Sequence, residues 1–154
     1  MPRTAFALEP NEGETFDAGP FHIVTRIHGD ESAQAFELYD LTIGPATVDY
    51  HVHHTMDETL CVVEGEVEFN LAGDLFTRPA GSVAFVPRGV HHGFTNHGPQ
   101  RARVLITFSP ARSQDEYFRL LEKLFAAATL DTAALADLQR RYDQQLVAAE
   151  ACHA

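Results

Sequence analysis

The chain has 154 residues, 45% of them hydrophobic, and its 22 acidic against 11 basic side chains leave a formal charge of -11. That length suits one domain with its own core and excludes a second full domain, while the negative charge excludes a phosphate backbone and an anionic membrane surface as expected partners. No apolar run has the length of a signal-peptide core or a bilayer span, so the expectation is a cytoplasmic protein without nucleic-acid or membrane partners.

Residues 1 to 20 carry Pro2, Pro10, Pro20, Gly13 and Gly19 among several acids, and read as an irregular N-terminal arm. From Phe21 to about Pro110 the chain breaks into short runs rich in Val, Ile, Phe, Leu and Thr. Turn residues divide them: HGD (28 to 30), IGPA (43 to 46), AGD (72 to 74), RPAG (78 to 81), PRG (87 to 89) and NHGPQ (96 to 100). Many short strands at this spacing predict an all-β sandwich or barrel over 21 to 110.

After Pro110 the period changes, and residues 111 to 154 read as a helical segment. Phe118, Leu121, Leu124 and Phe125 recur at helical intervals, and Ser113 with Glu116 forms a capping-box pattern at the start. A second helix is expected from Asp131, as N-cap, to about Ala149, with Leu135, Leu138, Tyr142 and Leu146 as its apolar stripe. Both stripes are expected to cover the barrel or to pack on a partner subunit. Cys61, inside an apolar run, reads as a packed core or interface residue and Cys152 as a tail thiol; neither has a CxxC partner.

The chemistry concentrates in two stretches. Five of the nine histidines fall in HVHH (51 to 54) and the pair His91 and His92. On a strand, His51 and His53 share one face, the arrangement needed to offer two imidazoles to one ion. Glu58 opens the next apolar run, so a tight turn through His54 to Asp57 brings its carboxylate beside the two rings. After the Pro87, Arg88 and Gly89 turn, His92 supplies a fourth donor, and His91 then faces the other way. By the same alternation Asp49, Leu60, Val62 and Phe94 fall on the metal side, with Phe69 and Phe85 as further wall or core residues. Three imidazoles and one carboxylate suit an open five- or six-coordinate divalent ion: iron, manganese, nickel, cobalt or zinc. The apolar, aromatic surroundings point to a planar or aromatic small molecule as substrate.

These spacings resemble the two motifs of the cupin family. His51 and His53, four residues, Glu58, six residues and Gly65 match the first; Gly81, five residues, Pro87, one residue, Gly89, two residues, His92, three residues and Asn96 match the second. Fifteen residues, Glu66 to Ala80, separate them. One departure stands out: Gly44 precedes His51 by six intervening residues where the family leaves five. The resemblance covers residues 36 to 108 and implies a cupin double-stranded β-helix, or jelly-roll barrel, a metal held by His51, His53, Glu58 and His92, and a homodimer. With the C-terminal SPARSQDEYFRLLEKLF, it extends to the small quercetinase-like monocupins. It thereby implies a metal-dependent dioxygenase for an aromatic or polyphenolic substrate, in which Glu58 is both ligand and catalytic base. Similar cupins imply two alternatives, a non-redox polyketide cyclase or isomerase and a non-catalytic small-molecule binder. No residue separates these three, and the roles of His54, His91 and His97 stay open.

Overall fold

A computed structural model describes residues 3–148, so Cys152 and the expected end of the second helix near Ala149 lie outside the described residues. Ten strands come first: β1 (Thr15–Ala18), β2 (Phe21–Ile27), β3 (Glu37–Ile43), β4 (Ala46–Val52), β5 (Asp57–Glu64), β6 (Glu66–Leu71), β7 (Asp74–Pro79), β8 (Val83–Val86), β9 (His92–Asn96) and β10 (Ala102–Ser109). Helices α1 (Gln114–Ala126) and α2 (Thr132–Arg141) follow, then a short β11 (Gln145–Leu146). All pairings are antiparallel, in one sheet ordered β1-β2-β3-β10-β5-β8 and another ordered β11-β4-β9-β6-β7. The two sheets enclose the core as the jelly roll that the motif spacings imply.

Alternation explains the layers. In β10, Ala102, Val104, Ile106 and Phe108 are buried while Arg103, Leu105 and Thr107 are turned toward the outer face. In β5 the buried set is Glu58, Leu60 and Val62, so a carboxylate occupies a core-facing position. The edge strand β7 is exposed throughout, and Asp74, Arg78 and Pro79 guard it against pairing with other chains. Among the described residues no helix is long and apolar enough to cross a membrane.

Three local expectations are corrected. The arm is not irregular to residue 20: Thr15–Ala18 pairs with Phe21–Val24 across a Gly19-Pro20 turn, because Phe16 and Ala18 are core residues. The Ser113 capping box does not form. Ser113 lies in the left-handed region at φ 56, and its side chain makes no cap hydrogen bond. Glu37 of β3 takes over instead: its carboxylate accepts from the backbone N–H of Arg112 and of Gln114, each at 2.8 Å, and from the Tyr39 hydroxyl at 2.8 Å. Burial and this carboxylate together push the Tyr39 hydroxyl pKa up. The second helix stops at Arg141, short of Ala149, because the chain turns at Asp143 (φ 62) to pair β11 with β4.

Glu37 is 1% exposed, so its removal leaves two buried donors, the Tyr39 hydroxyl and the Gln114 N–H, and the part-buried Arg112 N–H without their acceptor. Glu37→Ala is expected to lower stability by about 3 kcal/mol. Urea denaturation should show a lower midpoint at an unchanged m-value, and an unaltered midpoint would refute the assignment.

Candidate metal centre

Four side chains from separate segments meet inside the barrel. His51 is the last residue of β4 paired with β9, His53 begins the loop after β4, Glu58 is the second residue of β5, and His92 is the first of β9. The extra residue between Gly44 and His51 is absorbed as a β-bulge. Val48 pairs with Phe94 and His51 with His92, so three steps on β4 oppose two on β9. Gly93 lies opposite this bulge, where a Cβ would come within 2.7 Å of the Val48 carbonyl oxygen. Asn96, which ends the second motif, ties neighbouring loops together: it donates to Ile43 O and Gln100 O and accepts from the Gly98 N–H.

All four groups are buried, and their donor atoms lie within 4.8 Å of one another. Two atoms each about 2.1 Å from one ion can be at most about 4.2 Å apart, so little adjustment is needed to bind one. Each imidazole is held by its outer nitrogen. His51 Nδ1 donates to Asp49 O at 2.6 Å, His53 Nδ1 to Asp143 O at 2.6 Å, and His92 Nδ1 to Val90 O at 2.9 Å. The three Nε2 atoms therefore point inward. His51 Nε2 lies 3.2 Å from His53 Nε2, and Glu58 Oε2 lies 3.0 Å from His53 Nε2 and 2.6 Å from His92 Nε2. Nitrogen lone pairs and a carboxylate aimed at one point repel unless a proton or cation lies between them. The donor chemistry thus fits a divalent ion with mixed N and O ligands.

The protonation states favour this. Burial, reinforced by the neighbouring His92 and His53, pushes the His51 pKa down to about 3, leaving the ring neutral. Burial alone would raise the Glu58 pKa, but hydrogen bonds and charge from His53 and His92 outweigh it and hold the carboxyl ionised. For His53 burial works downward, and the Glu58 hydrogen bond and charge overcome it, so its pKa is raised.

A cavity of about 170 Å³ opens onto His51, His53 and Glu58. Of the sequence-predicted wall residues, Asp49 and Phe94 line it. Leu60, Val62 and Phe69 are each 1% exposed, in the core, and are not part of the lining. Phe85 is corrected outright: it is 58% exposed on the outer face of β8, because Ala84 and Val86 take the inward positions. The wall that sequence reasoning missed comes from the C-terminal segment: Tyr117, Phe118 and Leu121 of α1, Leu135 of α2, then Gln144 and Leu146. The helical stripes are legible in the sequence, but their use as cavity wall is not. Burial pushes the Tyr117 hydroxyl pKa up to about 12, keeping it protonated. Outside the cluster, His54 Nε2 lies 2.9 Å from Gln145 Oε1, His97 Nε2 lies 3.1 Å from Glu68 Oε1, and His91 packs edge-on against Tyr50. Cys61, half-buried on the outer side of β5, is a free thiol.

A family model described as a cupin domain matches residues 38–108. The chain is 38% identical over 76 residues to an uncharacterized protein of Streptomyces coelicolor, covering 49% of this chain and 70% of that one. It is 33% identical over 63 residues to polyketide synthase CurC of Streptomyces cyaneus, covering 41% of each. Among solved structures, KdgF from Halomonas sp. is similar with a TM-score of 0.65 and 21% identity, covering 73% of this chain and 99% of that one. The polyketide cyclase RemF from Streptomyces resistomycificus is similar with a TM-score of 0.62 and 20% identity, covering 71% of this chain and 82% of that one.

An ion entering the cluster must displace the proton on His53. Apparent affinity for a divalent transition metal should be flat above the raised His53 pKa and fall by about tenfold per pH unit below it. Calorimetry in buffers of different ionisation enthalpy should show one proton released per ion in the lower range. Release that stays at zero throughout would contradict the assignment.

Proposed function

Since the chain belongs to the cupin superfamily, we propose that it is a metal-dependent enzyme acting on an aromatic or polyketide-type small molecule by non-redox cyclisation or isomerisation. The observation that carries this reading is the four-donor cluster at the floor of an aromatic-lined cavity. The partial identity to a polyketide synthase component supports the choice of chemistry. His51, His53, Glu58 and His92 would hold the ion. When bound, a divalent ion in this set supplies Lewis acidity toward a carbonyl or enolate oxygen.

The protein residues do the rest. Phe94, Phe108 and Phe118 bind the planar part of the substrate and exclude water. A cavity of about 150 Å³ already holds a benzene-sized ligand, so the 170 Å³ found here suits one or two rings at a time. Glu58, kept ionised by its two imidazole neighbours, accepts a proton from an acidic C–H or O–H of the substrate. Asp49, at the exposed rim of the cavity, exchanges that proton with solvent.

A second reading is dioxygenase chemistry on a phenolic substrate. Four ligands leave coordination positions facing an apolar cavity, which suits a redox-capable ion as well. One assay separates the two. Protein loaded with zinc, manganese, nickel, cobalt or iron is incubated with 1,3-dicarbonyl and flavonol panels, with and without oxygen. The proposal expects turnover that zinc supports and that oxygen removal leaves unchanged. Stoichiometric oxygen consumption would replace it with the dioxygenase reading, and binding without turnover on any metal would make the protein a binder. In the active form, Glu58→Gln is expected to lower kcat by about 10²- to 10⁴-fold.

A further inference from the structure

Helix α2 ends in a Schellman motif. The Gln144 N–H donates to Gln139 O at 2.7 Å, the Asp143 N–H donates to Arg140 O at 3.4 Å, and Asp143 between them lies at φ 62. Glycine is the residue that this left-handed position favours, and an aspartate tolerates it at a cost. The side chain explains its presence. Asp143 Oδ1 accepts from the His54 N–H at 2.7 Å, and Oδ2 accepts from the Thr55 N–H at 2.9 Å and the Thr55 hydroxyl at 2.8 Å. Its backbone oxygen accepts from His53 Nδ1 at 2.6 Å, across 90 residues of sequence.

One residue thus grips the loop that runs from His53 toward Glu58 by three side-chain contacts and orients the His53 ring by a fourth, main-chain contact. The following residues continue the closure. Gln145 and Leu146 pair with Val52 and His51, and the Val147 N–H donates to Tyr50 O at 3.0 Å. Gln144 and Leu146 also wall the cavity. All of these C-terminal residues lie beyond 38–108, the part that matches the cupin domain.

We propose that Asp143 is a positioning residue for the metal centre, its carboxylate fixing the loop 53–55 so that its own carbonyl holds His53 with Nε2 aimed at the ion. The inference rests on the metal-binding part of the proposed function and not on the reaction catalysed. Without the carboxylate the loop and the end of α2 separate, and the His53 ring loses the acceptor that selects its tautomer.

The test uses the full chain, with cobalt(II) as the probe, and reads chelator-competition affinity, the cobalt visible spectrum and long-range ¹H–¹⁵N histidine spectra before metal addition. Asp143→Ala and Asp143→Gly should weaken cobalt binding by about 10- to 100-fold, alter the cobalt spectrum and lose the Nδ1–H signature of His53. The glycine variant keeps the left-handed helix end, so failure to fold does not confound it. Asp143→Asn, which retains an acceptor oxygen, should recover most of the affinity. Asp40→Ala, which removes the ion pair to Arg103 between β3 and β10 and touches neither the 53–55 loop nor the end of α2, should leave the cobalt affinity of the folded protein unchanged. Wild-type affinity and tautomer in both the alanine and glycine variants would overturn the inference alone, as would an equal loss in Asp40→Ala. Absence of cobalt binding by the wild type would overturn the metal-centre reading with it.

Discussion

Three imidazole nitrogens and a carboxylate oxygen aimed at one buried point are the constraint around which the barrel is arranged. Such a cluster is unfavourable for a fold unless its lone pairs share a proton or a cation, and burial sharpens the repulsion. Backbone carbonyls make the arrangement rigid. Asp49, Asp143 and Val90 each take the outer N–H of one ring, so no ring is free to turn its Nε2 away. Burial keeps His51 neutral, while His53 and His92 hold Glu58 ionised against it.

The strands meet that constraint with small local devices. The bulge between Val48 and His51 re-aims β4 at the cluster, and Gly93 gives the backbone room to approach it. The turn before β9 is tied to the site as well, since the Gly89 N–H donates to His53 O at 2.7 Å. Apolar wall and polar floor belong to different parts of the chain: the ligands come from β4, β5, β9 and the loop after β4, while α1, α2 and β11 cover them. An aromatic ligand would therefore contact the helices while its oxygen faces the donors.

The C-terminal segment joins these two functions. Asp143 sits where helix α2 must end, and its neighbours Gln144 and Leu146 reach the cavity. Buried polar contacts support the same seam, since Gln144 Nε2 donates to Gln114 Oε1 at 2.7 Å and Gln114 Nε2 donates to Tyr142 O at 2.9 Å. At the start of α1, the buried Glu37 carboxylate replaces the local serine cap. Both helices are thus anchored to the barrel by hydrogen bonds from distant strands and loops as well as by their apolar stripes.

The amino-acid sequence alone determined the donor set, the alternating strands and the presence of two amphipathic helices. Those features depend on periods of two and of about 3.6 residues, which are local. The extra residue before His51 was visible as a spacing, but only strand pairing showed it as a bulge. Phe85 and the Ser113 cap were misplaced for the same reason: which face of β8 is covered, and which carboxylate reaches α1, depend on elements far along the chain. The partner of His53 left no mark in the sequence, because its acceptor is a backbone carbonyl and every residue carries one. Tertiary packing alone brought Asp143 to that ring and turned two helical stripes into the wall of a cavity.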